Sequence, residues 1–160
     1  MSAFRASGAS TGRRAKPKRF CLRCEEPVFG AGKSCDICGK PAERFDSTAE
    51  YNHFHKLRLR ERAGEIFALR CHPRFELNVR PNEYNGHEGA HICYYSPDFC
   101  YAIKDKYSSR GIVVYEEIKP GKLVKSGKLK GQKKPVMTAD AALKIKLFQA
   151  LYNVKVNIIC

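Results

Sequence analysis

HICYYSPDFCYAI (residues 91–103) and GIVVYEEIKP (residues 111–120) are the two stretches on which the fold turns. Both are rich in β-branched and aromatic residues, which read as strands, and Ser108–Gly111 reads as the turn of a hairpin joining them. Side chains at i and i+2 of a strand share a face, so Glu117 and Lys119 project together while Ile118 points into the core. Glu116 should face the opposite way. Asp98, placed on the earlier strand after Pro97, then sits beside Glu117. Two carboxylates with an adjacent ammonium suit a divalent-metal phosphodiesterase. The acids hold Mg²⁺ through oxygen, the ion offsets charge on the scissile phosphate, and the lysine positions or helps activate water.

Upstream, FALRCHPRFELNV (residues 67–79) reads as a further strand. Before it, DSTAEYNHFHKLRLRERAG (residues 46–64) opens on cap candidates and closes on Gly64, which predicts a helix with Tyr51, Phe54 and Leu57 on its packed face. Glu50 on that helix can add a third carboxylate at the sheet edge. Downstream, Lys119–Pro135 reads as a Lys/Gly-rich loop. Thr138 then caps a helix over ADAALKIKLFQALYN (residues 139–153), with Ala142, Ile145, Phe148, Gln149 and Tyr152 at helical spacing. A short strand over Val154–Ile159 ends the order α, β, β, β, α, β.

The N-terminal part has a different chemistry. CLRC and CDIC, ten residues apart, supply Cys21, Cys24, Cys35 and Cys38 in two tight knuckles. Four soft ligands in a closed tetrahedral set favour structural Zn²⁺ and leave no position for a substrate water. Residues 20–45 are therefore read as a four-cysteine zinc ribbon, and residues 1–19, basic and without apolar periodicity, as a disordered arm. Cys71, Cys93, Cys100 and Cys160 read as buried or terminal thiols. His53 and His55 lie two apart on a helix, a poor spacing for chelation, and read as ordinary surface or boundary residues. His87 and His91 leave a second metal site open.

The chain carries 30 Lys and Arg against 16 Asp and Glu, a net charge of +14. Such a balance favours polyanionic partners, and the basic stretches lack the apolar face of a membrane-surface helix. Lys122, Lys125, Lys128, Lys130, Lys133 and Lys134 form a glycine-punctuated run suited to a phosphate backbone, and Lys144 on the second helix is the lysine expected to face the cleft. No apolar run approaches a membrane span, and eight cysteines without a secretory leader fit a reducing cytoplasm. Neither a nucleotide-binding glycine loop nor a Cys/His nucleophile pattern is present.

The blocks STAEYNHFHKLRLRERAGEI, HPRFEL, YYSPDFCY, VVYEEIKPG and ALKIKLFQALYNV, in this order, resemble the PD-(D/E)XK nuclease superfamily, and more closely a family of small phage-encoded proteins within it. The resemblance covers about Ser47 to Ile159. It implies a restriction-endonuclease-like αβββαβ core with a mixed central sheet over residues 46–160, to which the zinc ribbon is an N-terminal addition. By the same resemblance Asp98 and Glu117 are metal ligands, Lys119 is the catalytic lysine and Glu50 is the helix carboxylate. The expected activity is that of a Mg²⁺- or Mn²⁺-dependent endodeoxyribonuclease acting on double-stranded or branched DNA, Holliday junctions among them, in the host cytoplasm. A homodimer is expected if the substrate is a junction, which needs two active sites. The rival class is a non-catalytic zinc-ribbon protein that binds nucleic acid or plays a regulatory part.

Overall fold

The computed structural model describes residues 19–29, 32–81, 84, 86, 88–105, 111–128 and 130–160, so the arm read in residues 1–18 lies outside them. The chain divides into two compact units, Met1–Thr48 and Ala49–Cys160. In the first, β1 (Arg19–Cys21), β2 (Glu26–Val28) and β3 (Glu43–Arg44) form an antiparallel sheet in the order β2-β1-β3. Arg19, assigned to the arm, is thus the first strand residue.

The larger unit follows helix α1 (Thr48–Arg62) with β4 (Ile66–Cys71), β5 (Phe75–Val79), β6 (Ala90–Tyr95), β7 (Phe99–Ile103), β8 (Ile112–Ile118), β9 (Gly121–Leu123), β10 (Lys133–Pro135), α2 (Ala139–Tyr152) and β11 (Val156–Ile159). Its four-stranded sheet has the order β11-β8-β7-β4, antiparallel except that β11 runs parallel to β8. Counting only this mixed sheet and the two helices, the chain order is α, β, β, β, α, β.

The sequence predicts one strand over residues 67–79 and one over 91–103, and the structure breaks both. β4 pairs with β7, and β5 pairs with β6 in a separate ladder, so one long hairpin is bent at residues 72–74 and 96–98. Pro73 and Pro97 explain the break, since each lacks a ladder donor and biases the residue before it. Asp98 consequently lies in the bend and not on a strand. The hairpin turn predicted at Ser108–Gly111 falls mostly on residues outside those described. Gly111 itself has φ +70°, and a Cβ there would meet Ile103 O at 2.8 Å, which fits a glycine closing the β7–β8 connection.

The faces of the sheet are set by parity along β8. Glu116 meets His53 of α1, whereas Tyr115 packs on Phe148 of α2, with ring centroids 5.1 Å apart. The bent-over β5–β6 half covers α2 on the same side, so that Leu77, Tyr95, Ile145, Phe148 and Val156 make one buried cluster. Thr138 caps α2 by accepting from Ala141 N at 3.3 Å, and Asn153 ends it in the left-handed conformation. Gln149 Oε1 accepts from Val156 N at 2.9 Å and ties the start of β11 to the helix. The predicted loop after Lys119 also differs: β9 and β10 pair antiparallel, with Lys122 opposite Lys134 and Leu123 opposite Lys133. No helix among the described residues is long and apolar enough to cross a membrane.

Phe148 is fully buried and touches the rings of Phe75, Tyr95, Tyr115 and Tyr152. Phe148→Ala should therefore lower the unfolding free energy by about 3–5 kcal/mol in urea denaturation of the full chain.

Candidate metal centres

The two cysteine knuckles repeat one geometry. In each, the residue after the second cysteine takes a positive φ, +58° at Glu25 and +67° at Gly39. Its N–H then returns to the carbonyl of the first cysteine, with Glu25 N to Cys21 O and Gly39 N to Cys35 O both 2.8 Å. The four sulfurs converge within 4.8 Å of one another, and Cys24 N donates to Cys21 Sγ at 3.4 Å. Hydrogen bonding from Cys38, then burial, then the other two cysteines push the Cys24 thiol up to about 12. A divalent cation is what allows such a crowd to ionise, so the set could bind a structural metal such as zinc. Around the knuckles Cys21, Val28 and Cys35 make one small buried cluster, and a bound metal would add to the stability of such a short unit.

The second centre forms at the bend. Its two broken segments are joined by His72 N donating to Asp98 O at 3.0 Å and by Ser96 Oγ donating to Pro73 O at 3.1 Å. Asp98 Oδ2 accepts from Ile118 N at 2.6 Å, which fixes the carboxyl against β8 one residue beyond Glu117. Glu117 Oε1 lies 2.6 Å from Lys119 Nζ, and its Oε2 accepts from Tyr95 OH at 2.9 Å. The i, i+2 expectation for Glu117 and Lys119 thus matches the geometry. Glu50, in the first turn of α1 and 4% exposed, reaches His72, with Oε1 2.6 Å from Nε2.

Glu50, His72 and Asp98 offer ligand atoms that all lie within 4.8 Å of one another. Two donors on one ion at about 2.1 Å stand at most about 4.2 Å apart, so small side-chain movements close the set around a divalent cation. Burial, and after it the charge of Glu117, push the Asp98 carboxyl up to about 6 against the Ile118 hydrogen bond; Glu50 adds to the rise and Lys119 opposes it.

Glu116 occupies the other face, as expected, with His53 Nε2 at 2.7 Å and Tyr101 OH donating at 2.8 Å. Burial alone would raise its pKa, but the bonds from His53 and Tyr101 hold it below the ordinary value. His53 is half-buried, as the boundary reading allows, and is in addition the partner of a buried carboxylate. Lys144 pairs with Asp140 at 3.1 Å and lines a hollow with Tyr94, Tyr95, Ser96 and Glu117. Lys122, Lys125, Lys128 and Lys130 lie on and beside the β9–β10 hairpin. His91 Nδ1 lies 2.8 Å from Asn78 Oδ1, and His87 falls outside the described residues.

A family model described as "Protein of unknown function (DUF1064)" matches residues 37–160. The chain belongs to this family. The matched stretch contains Glu50, His72, Asp98, Glu117, Lys119 and Lys144, and it leaves Cys21, Cys24 and Cys35 outside. No curated protein and no solved structure matches the chain.

Two residues of the acidic centre, His72 and Tyr95, are absent from the sequence reading. His72 carried a signal in standing before a proline inside an apparent strand, and the structure gives it φ +48°, uncommon for a residue with a side chain. Tyr95 gave none, because a strand tyrosine is ordinarily read as core.

Two outcomes follow from these centres. Glu25→Gly relieves a positive φ on an exposed residue and should stabilise the cysteine unit by about 0.5–1 kcal/mol, read as slower metal loss to a chelator. The folded-state pKa of Asp98 is raised from 3.8 to about 6, so the stability it contributes is present below the unfolded value and is lost as pH rises through 6. Asp98→Asn should therefore stabilise the metal-free protein at pH 8 by on the order of 3 kcal/mol, with the gain vanishing below about pH 4 in thermal melts.

Proposed function

We propose that this chain is a divalent-metal-dependent endodeoxyribonuclease of the PD-(D/E)XK type that processes phage DNA, with branched DNA as the favoured substrate. The observation that carries the reading is the meeting of Glu50, Asp98, Glu117 and Lys119 at one end of a mixed sheet, beside the hollow that Lys144 lines.

A bound Mg²⁺ or Mn²⁺ would offset charge on a phosphodiester and lower the pKa of an attacking water. Asp98, Glu117 and Glu50 are the carboxylates that would hold it. Tyr95 fixes the Glu117 carboxylate, which in turn fixes the Lys119 ammonium, so the lysine can orient the water and donate to a phosphate oxygen. Lys144 is suited to a neighbouring phosphate. The lysines of the β9–β10 hairpin supply sequence-independent attraction to the backbone, and the cysteine ribbon adds grip or bracing.

The test incubates the full chain with linear, single-stranded and four-way-junction DNA and with RNA, with and without Mg²⁺ or Mn²⁺. Cutting of DNA that requires the ion is expected. Asp98→Ala and Lys119→Ala should each reduce it by about 10²-fold or more while sparing most DNA binding. Equal cutting by these variants sinks the assignment, and ion-independent binding without cutting favours a non-catalytic nucleic-acid-binding protein. Replacing Lys122, Lys125, Lys128 and Lys130 by alanine should flatten the salt dependence of binding by roughly one in slope for every phosphate no longer neutralised.

A further inference from the structure

We propose that His72 is a direct ligand of the divalent ion, so that the ion is held by Glu50, His72 and Asp98 and the site prefers Mn²⁺ to Mg²⁺. This rests on the nuclease reading only in taking Glu50 and Asp98 as ligands, and it stands or falls without any cutting of DNA.

Three observations carry it. Among the described residues, Glu50, His72 and Asp98 are the acidic-centre donors that lie within 4.8 Å of one another, and His72 Nε2 points at Glu50 Oε1 from 2.6 Å. Glu117 lies outside that set and has Lys119 at Oε1 and Tyr95 at Oε2. Glu117, taken above as a third carboxylate on the ion, serves instead to hold the lysine, and His72 supplies the third donor.

The backbone also holds His72 at some cost. Its φ of +48° is a conformation that side-chain-bearing residues avoid by roughly 1–2 kcal/mol, and the bond from its N–H to Asp98 O locks it there. One residue of the bend thus fixes the backbone of Asp98 and aims an imidazole at the carboxylate of α1. An isolated histidine packing against a strand would need neither feature.

Donor chemistry sets the metal preference. Mg²⁺ demands oxygen donors and near-ideal octahedral geometry, whereas Mn²⁺ stands with the first-row ions that accept imidazole nitrogen. An Asp/Glu/His set therefore binds Mn²⁺ with a nitrogen in its inner shell. The cysteine set does not compete, since thiolates select softer ions such as zinc.

The full chain, loaded with zinc at its cysteines, is titrated with Mn²⁺ while free ion is followed by electron paramagnetic resonance. The bound ion is then examined by electron spin echo for ¹⁴N coupling. One Mn²⁺ per chain with a ¹⁴N signal is expected, and Mg²⁺ should displace it only at much higher concentration. His72→Ala should remove the ¹⁴N signal and weaken Mn²⁺ by about tenfold or more, at least what removal of an outer-sphere partner costs. His72→Asp guards against simple misfolding: it should restore ion binding without ¹⁴N coupling and shift the preference toward Mg²⁺. His53→Gln should leave the ¹⁴N signal in place. Wild-type Mn²⁺ affinity in His72→Ala, bound Mn²⁺ without ¹⁴N coupling in the native chain, or no Mn²⁺ binding at all would overturn the assignment. Nitrogen-coupled Mn²⁺ on a chain that cuts no nucleic acid would support it and overturn the nuclease reading.

Discussion

Pro73 and Pro97 interrupt facing strands of one long hairpin, and the hydrogen bonds from His72 N to Asp98 O and from Ser96 Oγ to Pro73 O hold the resulting bend. The acidic centre depends on this pair of interruptions. Had the ladder continued, Asp98 would alternate with its neighbours as a regular strand residue and His72 would be paired in the sheet. With the break, the inner half of the hairpin stays in the main sheet and the outer half folds over α2, where Leu77 and Tyr95 join Phe148. Tyr95, the last strand residue before the break, is both a core residue and the donor that fixes Glu117. Packing of the core and orientation of the site are therefore coupled through one side chain.

The adjacent acids of β8 illustrate how parity assigns different physics to neighbouring residues. Glu116 and Glu117 are equally buried, at 6% exposure each. Glu116 faces α1, where His53 and Tyr101 keep its carboxylate charged and its demand for partners met. Glu117 faces the bend, where the Asp98 carboxyl stands close and Lys119 pairs with it. A charge balanced by its neighbours is a structural element, while one crowded by like charge calls for a cation.

The cysteine ribbon and the acidic centre are opposite solutions to collecting negative groups. In the ribbon, short local turns bring four sulfurs together, and each knuckle needs only its own backbone bonds. In the acidic centre, Glu50, His72, Asp98 and Glu117 come from a helix, two sides of a bend and a strand. The first is a local property of spacing, and the second exists only when α1, the hairpin and β8 are assembled.

That difference sets what was legible beforehand. The cysteine knuckles, both helices with the Thr138 cap, the shared face of Glu117 and Lys119, and the opposed face of Glu116 could all be read in advance, because they follow from spacing along a single element. The sequence also marked Glu50 and Asp98 as members of an acidic set, through the order of the strands. Assembly of the chain is what makes Pro73 and Pro97 break facing strands at the same level, lets Gln149 anchor β11, sets Lys122 opposite Lys134 in a hairpin, and brings His72 to Glu50 and Asp98. Each of these is a contact between segments apart in the chain, where neither periodicity nor propensity specifies a partner and packing makes the choice.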